Sequence, residues 1–399
     1  MRPLLPGPED VLRDTVVQLG VAVHDLPRLA RYGSVEALAM EGLTPEQAEV
    51  LTRAVREGDG DVLCSADGSR AVALMPLLTA GSLGEGLVRW GSGMEAVGAA
   101  VAAVLVARGA PPAPLVARGH RLAFGARTLI MGIVNVTPDS FSGDGVGSDV
   151  DAARTRGREL AAAGADIIDV GGESTRPNSV PVTVDEELAR VLPVVSALTR
   201  TLDVPVSIDT RKAAVARAAL DAGAAIVNDV WGLRGDPEMA AAVAATPDAG
   251  LVVMHNQREA VYADLMRDIC ASLRDSLAIA SAAGIDSERV IVDPGFGFAK
   301  TPAQNIEMLR RLGELRGLGR AIMVGPSRKS TIAVLTGGAS PDARVEGSIA
   351  LAALAVSAGA HIMRVHDVAE TVRALRVADA LVHGVPEHLR SAPMPGRTG

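Results

Sequence analysis

The sequence predicts an α/β fold, a (β/α)8 TIM barrel preceded by a small α/β N-terminal domain. Apolar runs of strand length recur eight times in the later part of the chain, separated by alanine-rich segments with helical periodicity. Eight repeats over roughly 270 residues match the number and length of a closed barrel. An open doubly wound sheet is the alternative, but no G-x-G-x-x-G motif follows the first strand. Glycines end several helices just before the next strand: Gly164, Gly223, Gly284 and Gly359.

Residues 1–110 are predicted to form the N-terminal domain, whose role stays open. Thr44, followed by Pro45 and Gln47, has the pattern of a capping box at a helix start. Two strands are predicted around a turn at Asp67. This segment contains no cluster of residues that carries chemistry.

Residues 111–120 are predicted to be a linker, because prolines lie close together between a helix and a strand. The barrel is predicted to occupy residues 121–399, with a short hairpin at its start over 121–130. The predicted barrel strands are 129–136, 165–172, 204–209, 225–230, 250–255, 290–295, 321–326 and 361–367.

Composition narrows the classes of partner and compartment. A net charge of −8 argues against nucleic-acid partners and anionic membranes. The longest apolar run, 96–107, is too short to span a bilayer, and the N-terminus lacks the apolar core of a signal peptide. The two cysteines, Cys64 and Cys270, show no ligand or disulfide spacing, which favours a cytoplasmic location.

Polar residues stand at the C-terminal ends of the predicted strands. In a barrel these ends converge on the face that carries active sites. Capping of the following helices is the alternative, and it is credible for Asp209, but it explains eight strand ends poorly. The residues are Asn135, Asp169, Asp209, Asn228, Asp229, His255, Asp293, Ser327, Lys329, Arg364 and His366.

The polar residues at these strand ends include two groups with different chemistry. Asp209, Asn228 and Asp293 suit a flat heterocycle rich in N–H donors, since a carboxylate accepts paired hydrogen bonds from an amino-pyrimidine edge. Arg364 and His366 are two residues apart on the last strand, so they share one side and predict an anion site. A salt-bridged strand end is the alternative for this pair.

A metal site built only from protein ligands is not indicated, because histidines and cysteines are scattered. Asn135 and carboxylates suit a hard ion such as Mg²⁺, held mainly through phosphate oxygens. Two loops, 135–149 and 171–183, are lid candidates because they combine small residues with Phe141 and Arg176. Ordinary flexible loops are the alternative.

Lysine is rare in this chain. Only three of the 39 basic residues are lysines, at positions 212, 300 and 329. Lys329 lies in "GPSRKS", where Arg328 replaces the glycine that a Walker-type phosphate loop requires. A compact ammonium fits between a heterocycle and nearby carboxylates, whereas a planar guanidinium needs more room and a bidentate partner.

Seven motifs in order resemble the dihydropteroate synthase family: "MGIVNVTPDSFS", "GADIIDVGGESTRP", "VPVSIDT", "IVNDV", "IVDPGFGF", "VGPSRKS" and "RVHDV". The resemblance covers residues 121–385. It implies a cytoplasmic, homodimeric (β/α)8 transferase of folate biosynthesis that uses Mg²⁺ and is a sulfonamide target. Such an enzyme joins 6-hydroxymethyl-7,8-dihydropterin diphosphate to 4-aminobenzoate and releases diphosphate.

The resemblance also implies a role for each matching residue. Asp169, Asp209, Lys329, Arg364 and His366 would be catalytic. The pterin would contact Asp209, Asn228, Asp293 and Lys329, and the diphosphate Asn135, Arg364 and His366, with Asn135 also on Mg²⁺. The aminobenzoate side would comprise Pro138, Phe141, Thr175, Arg176, Phe298 and Ser330.

Some questions stay open at this level. Ala299 stands where the family more often has glycine, which is tolerated unless this residue has a positive φ. Lys329 either holds only the pterin or also seats the arylamine. Two rival functions are a methyltetrahydrofolate:corrinoid methyltransferase, which should lack the "SRKS" and "RVH" motifs, and a non-catalytic pterin-binding homologue.

Overall fold

The computed structural model describes residues 2–4, 35–58, 60–76, 83–84, 86–88, 93–109, 111–136, 149–173 and 181–389. The chain divides into two compact units. The first comprises residues 1–112 together with 262–270 and 307–320, and the second comprises 113–261, 271–306 and 321–399. The main segment of the first unit ends close to the predicted boundary at residue 110.

The first unit contains a four-stranded antiparallel sheet with the strand order β1-β2-β4-β3. Its predicted capping box is confirmed, since the Thr44 hydroxyl accepts from Gln47 N and the Gln47 side chain accepts from Thr44 N. The predicted strand pair around Asp67 is also confirmed. The elements are β1 (Arg2–Leu4), β2 (Val35–Glu41), α1 (Pro45–Glu57), β3 (Asp61–Cys64), β4 (Arg70–Pro76) and α2 (Glu95–Gly109).

A two-stranded hairpin precedes the barrel. It consists of β5 (Leu115–Ala117) and β6 (His120–Leu122). The prediction of a hairpin over 121–130 was wrong in position, because Arg118 (φ 46°) and Gly119 (φ 80°) supply the turn earlier. Part of the predicted linker is therefore strand. Apolar side chains of the hairpin are buried against residues at the N-terminal ends of the barrel strands.

Eight parallel strands form a closed barrel, which confirms the predicted (β/α)8 architecture. The last strand pairs with the first, with Ile362 beside Leu129, so this sheet has no free edge. The strands are β7 (Leu129–Asn135), β8 (Ile167–Gly171), β9 (Val206–Asp209), β10 (Ile226–Asp229), β11 (Gly250–Met254), β12 (Val290–Asp293), β13 (Ala321–Val324) and β14 (Ile362–Val365).

Helices follow the barrel strands, and the predicted glycine stops are confirmed by positive φ angles at Gly164, Gly223, Gly284 and Gly359. Within the described residues, no helix combines the length and apolar character needed to cross a membrane. The helices are α3 (Val150–Ala162), α4 (Val184–Thr199), α5 (Ala213–Asp221), α6 (Met239–Ala244), α7 (Leu265–Ala282), α8 (Pro302–Arg310), α9 (Ser330–Leu335), α10 (Val345–Ser357) and α11 (Val368–His383).

The barrel strands are buried along most of their length. Val, Ile, Leu and Met dominate them, as expected for parallel strands covered on both faces. A polar residue at the C-terminal end of such a strand therefore lies in a region of low dielectric, where its charge and its hydrogen bonds have large energetic effects.

Candidate active site

Four strand ends meet at one buried cluster. Arg364 on β14 donates from Nε to Asp169 Oδ2 at 2.7 Å and from Nη2 to Asp209 Oδ2 at 2.6 Å. Asn228 Nδ2 donates to the same Asp169 oxygen at 3.1 Å. The structure thus joins residues that are as many as 195 positions apart in the chain. The sequence predicted that this guanidinium binds an anion. In the structure it lies between two carboxylates.

Within the described residues, the cluster contains buried acceptors that receive no hydrogen bond. Four of its side-chain atoms are buried without a hydrogen-bond partner: Asp169 Oδ1, Ser207 Oγ, Asp209 Oδ1 and Asn228 Oδ1. Each such atom costs roughly 1–3 kcal/mol when it stays unpaired. Buried polar atoms in folded proteins are nearly always paired, so a group of four on neighbouring strands indicates a ligand that supplies hydrogen-bond donors.

Two carboxyl groups of the barrel mouth titrate close to neutrality. Burial raises the pKa of Asp209 to about 7; Arg364 opposes this rise, and the charges of Asp169 and Glu187 add to it. Burial likewise raises the pKa of Asp293 to about 6, although Asp293 Oδ1 accepts a 2.7 Å bond from Gly295 N. N–H donors from a ligand would favour the ionised form of each carboxyl group.

The helix-cap alternative fails for Asp209. The first amide of α5, Ala213 N, donates to Asp236 Oδ2 at 2.8 Å instead. Asp229 does have a local structural role, because its two oxygens accept from Trp231 N at 2.8 Å and Leu233 N at 2.6 Å. The strand-end aspartates therefore fall into two kinds, one available to a ligand and one satisfied by its own loop.

Lys329 lies at the rim of the barrel, just before α9. Its Nζ is 4.1 Å from the centroid of the Phe298 ring, a cation–π distance. A Cβ on Gly297 would lie 2.9 Å from Lys329 Cδ, so the glycine leaves space for the lysine stem. Ser330, the first residue of α9, is exposed beside this pair. Phe298 and the "RKS" motif are thus brought together.

Arg328 has a different task from Lys329. Its Nε and Nη2 donate to the two oxygens of Asp367, at 3.0 and 2.6 Å. Its own backbone has a φ of 57° and is held by Ser348 Oγ, which accepts from Arg328 N at 2.9 Å. The planar guanidinium is matched to a bidentate carboxylate. In "RK" the arginine is therefore structural, and the lysine reaches the barrel mouth.

His366 is neutral in this environment. Burial, with Arg364 and Arg328, lowers the pKa of His366 to about 3. His366 N donates to Ser327 Oγ at 3.2 Å, and this hydroxyl lies 3.0 Å from His366 Nδ1. If the hydroxyl donates to Nδ1, the ring proton resides on Nε2 and serves as a hydrogen-bond donor. Ser327 is a positioning residue for which the sequence suggested no role.

Asn135 ends β7 and is half-buried. A Cβ on Gly171 would lie 3.9 Å from Asn135 Oδ1 and 3.7 Å from Asp209 Oδ2. The glycine thus keeps the space between these two side chains open. Among the described residues, no three His, Cys, Asp or Glu side chains are placed to hold a metal ion. This donor set fits Mg²⁺ only if a ligand supplies most of the coordinating oxygens.

Sequence reasoning missed a buried charge cluster beside the site. Lys212 Nζ donates to Glu173 Oε2 at 2.6 Å and also to Glu187. Arg211 Nη2 donates to Glu173 Oε1 at 2.9 Å. The rarity of lysine was the only signal of it in the sequence. Four predicted contacts lie outside the described residues: Pro138, Phe141, Thr175 and Arg176.

A model of the family described as "Pterin binding enzyme" matches residues 131–366, more than half of the chain. The dihydropteroate synthase of Bacillus subtilis (strain 168) is 44% identical over 262 residues, which cover 66% of this chain and 91% of that protein. The chain belongs to the dihydropteroate synthase family of pterin-binding enzymes. As a dihydropteroate synthase it is a transferase, and the predicted family is confirmed.

Solved dihydropteroate synthases also share the fold. The Xanthomonas albilineans enzyme with 4-aminobenzoic acid is 45% identical, with a TM-score of 0.65, covering 69% of this chain and 100% of that one. The Burkholderia cenocepacia enzyme complexed with 7,8-dihydropteroate is 44% identical, with a TM-score of 0.62, covering 68% and 97%.

Proposed function

We propose that the barrel mouth condenses 6-hydroxymethyl-7,8-dihydropterin diphosphate with 4-aminobenzoate to give 7,8-dihydropteroate and diphosphate. The observation that carries this proposal is the group of four buried acceptors on β8, β9 and β10 that have no partner among the described residues. A pterin presents an amino group and ring N–H donors along one flat edge. It therefore supplies the donors that this cluster lacks.

The pterin is held by Asp209, Asn228, Asp293 and Lys329. Asp209 and Asp293 ionise as the pterin donors reach them, which converts neutral contacts into charge-assisted hydrogen bonds. Lys329 balances this charge with a single ammonium. Asp169 keeps Arg364 and Asn228 in place, since it accepts from both.

In the reaction, the bond between the methylene carbon and the diphosphate oxygen breaks, and its electron pair leaves with the diphosphate. A bond then forms between the arylamine nitrogen and the methylene, and the nitrogen releases one proton. Positive charge develops on the pterin between these steps, next to Asp169 and Asp209. Negative charge develops on the leaving group. Pre-oriented charges that match such changes account for much of enzymatic rate enhancement.

The diphosphate is bound by Asn135, Arg364 and His366. Arg364 supplies a fixed positive charge, because burial and two carboxylates restrain its guanidinium. With Ser327 donating to His366 Nδ1, His366 supplies the Nε2–H donor. Asn135 would hold Mg²⁺ together with diphosphate oxygens. The ion would neutralise charge on the leaving group.

The aminobenzoate side is formed by Phe298 and Ser330 beside Lys329, together with Pro138, Phe141, Thr175 and Arg176. Support comes from the aromatic ring and the exposed hydroxyl that flank the lysine. In this arrangement the Lys329 ammonium stands between the pterin cluster and the aminobenzoate side, so it contacts both substrates.

The proposal also includes a homodimer and a cytoplasmic location. The helices α10 and α11 carry exposed apolar side chains, with Leu354 and Val377 each 64% and Leu381 84% exposed. Such apolar surface is typical of an interface between subunits. Both cysteines are free thiols, which suits a reducing compartment. Sedimentation equilibrium of the purified chain tests the dimer.

The deciding experiment measures diphosphate release from the dihydropterin diphosphate with and without 4-aminobenzoate, and detects dihydropteroate by mass. We expect release that depends on the arylamine and one dihydropteroate formed for each diphosphate. Diphosphate release that does not depend on the arylamine, or no release at all, contradicts the proposal. Tight pterin binding without release would favour a non-catalytic homologue, and methyl transfer from methyltetrahydrofolate would favour the corrinoid methyltransferase.

A further inference from the structure

The half-buried Lys300 and the buried His255 form a contact beside the site that the chemistry above does not use. Lys300 Nζ lies 3.0 Å from His255 Nδ1 and donates to the carbonyl oxygens of Gly295 at 3.1 Å and Phe298 at 3.2 Å. Three acceptors thus converge on one ammonium, which has three donors. An arginine would spread its donors across a plane and could not offer three donors from a single nitrogen atom.

The protonation of this pair follows from its surroundings. Burial and the charges of Lys300 and Arg234 lower the pKa of His255 to about 3, so the imidazole is neutral at pH 7. When Lys300 is protonated it can only donate, so His255 Nδ1 then accepts from the ammonium and the ring proton lies on Nε2. Burial also lowers the pKa of Lys300 to about 7, while the charge of Asp293 favours the protonated amine.

The ammonium holds a loop with unusual backbone geometry. Between β12 and α8, Gly295 (φ 74°), Gly297 (φ 80°) and Ala299 (φ 43°) all adopt positive φ angles. A side chain on Gly295 would collide with the carbonyl oxygen of His255, so this loop passes close against the end of β11. Lys300 binds two of the carbonyl groups that this path leaves without partners in a helix or sheet.

Asn305 holds the same loop from the other side. Its Oδ1 accepts from Gly297 N at 2.8 Å, and its Nδ2 donates to Thr331 Oγ1 at 3.0 Å. Thr331 is the second residue of α9, which starts directly after Lys329. The loop is therefore fixed between His255 and α9, and the Phe298 ring lies where these contacts place it, 4.1 Å from the Lys329 ammonium.

We propose that Lys300 is a positioning residue that holds Phe298 against Lys329 and so shapes the aminobenzoate side of the site. This inference rests on the proposed function, because the aminobenzoate side is defined there. Lys300 touches neither substrate. It acts through the Phe298 carbonyl oxygen, and His255 keeps the ammonium aimed at that oxygen.

The test compares Lys300→Met and Lys300→Gln with the parent enzyme. We expect Lys300→Met to raise the KM for 4-aminobenzoate by about 5- to 100-fold, as for buried groups left unpaired. The dissociation constant for the pterin alone, measured at pH 8, should change less than this KM, since the β8–β10 cluster is untouched and loss of the Lys300 charge acts on the pterin only by raising the pKa of Asp293. Lys300→Gln, which keeps a donor, should give a smaller rise in KM.

Thr128→Val is the matched control. It removes a 2.7 Å bond from Thr128 Oγ1 to Asp379 at the start of β7, away from the barrel mouth. We expect it to lower the melting temperature without moving either KM. A general loss of stability in Lys300→Met would instead reduce the active fraction, and so kcat alone.

An inactive parent enzyme would refute the proposed function. With an active parent, an unchanged KM for aminobenzoate, or equal changes for both substrates, would overturn the role of Lys300. Failure of both lysine variants to fold would also overturn it, because the residue would then be needed only for folding.

Discussion

Replacement of Asp209 by asparagine should abolish turnover and leave the fold intact. The asparagine keeps one acceptor but turns the other into an N–H₂ group, which faces the Arg364 Nη2 donor or the donors of the pterin. A carboxylate that binds a flat edge makes two charge-assisted hydrogen bonds, each contributing about 1.5–3 kcal/mol. The loss is then about 3–6 kcal/mol, or about 10²- to 10⁴-fold in pterin affinity.

The pH dependence of pterin binding provides a second test of the role of Asp209. The pKa of Asp209 is about 7 without ligand, and pterin donors favour the ionised carboxylate, so binding releases a proton below pH 7. At pH 5, two units lower, affinity should fall by about 100-fold through Asp209 alone. The Asp209→Asn variant should lose this dependence and keep only that of Asp293, which begins near pH 6.

The stability of the ligand-free enzyme should fall as the pH rises, whereas its pterin affinity should increase. Folding raises the pKa of Asp209 above its usual value of 3.8. The contribution of this group to the free energy of unfolding is therefore fully present below pH 3.8. It is lost as the pH rises to about 7, where the buried group ionises. The Asp209→Asn variant should therefore unfold at an equal or higher temperature than the parent enzyme at pH 8. The barrel would show unchanged circular dichroism.

Asp229→Asn is the matched control, since Asp229 is also buried but both its oxygens accept backbone N–H bonds. It should lower the melting temperature and leave pterin affinity unchanged. The assays are isothermal titration in two buffers of different ionisation enthalpy and steady-state rates. Pterin affinity of Asp209→Asn within tenfold of the parent at pH 8, or an equal loss in Asp229→Asn, would refute the reasoning.

Three further outcomes are expected. Ala299→Gly should stabilise the enzyme by about 1 kcal/mol, because Ala299 has a φ of 43°; a lower melting temperature would contradict this. Gly171→Ala should fold normally but reduce kcat/KM by about 10- to 100-fold, since its methyl group would lie between Asn135 and Asp209. Lys329→Arg should lose about 10²-fold or more in kcat despite its positive charge, because a planar guanidinium needs more room than a compact ammonium between the pterin and the carboxylates; a near-normal rate would show that charge alone suffices.

The barrel could be predicted because its signals are local. A buried strand is apolar over its own length, and a helix ending in glycine is visible within a few residues. The hairpin was placed wrongly because its turn depends on Arg118 and Gly119, and an arginine with positive φ has no clear sequence signal. The large lowering of the pKa of His366 likewise depends on burial, which cannot be recognised from a local sequence pattern.

By itself, the sequence determined the eight repeats, the polar residue at each strand end and the family. The tertiary structure decided which of these residues act together. Asp209 and Asp229 look alike in the sequence, yet Asp209 has an oxygen without a partner among the described residues, whereas Asp229 accepts from Trp231 and Leu233. Hydrogen-bond partners and desolvation come from strands far apart in the chain, and both exist only once the barrel has closed.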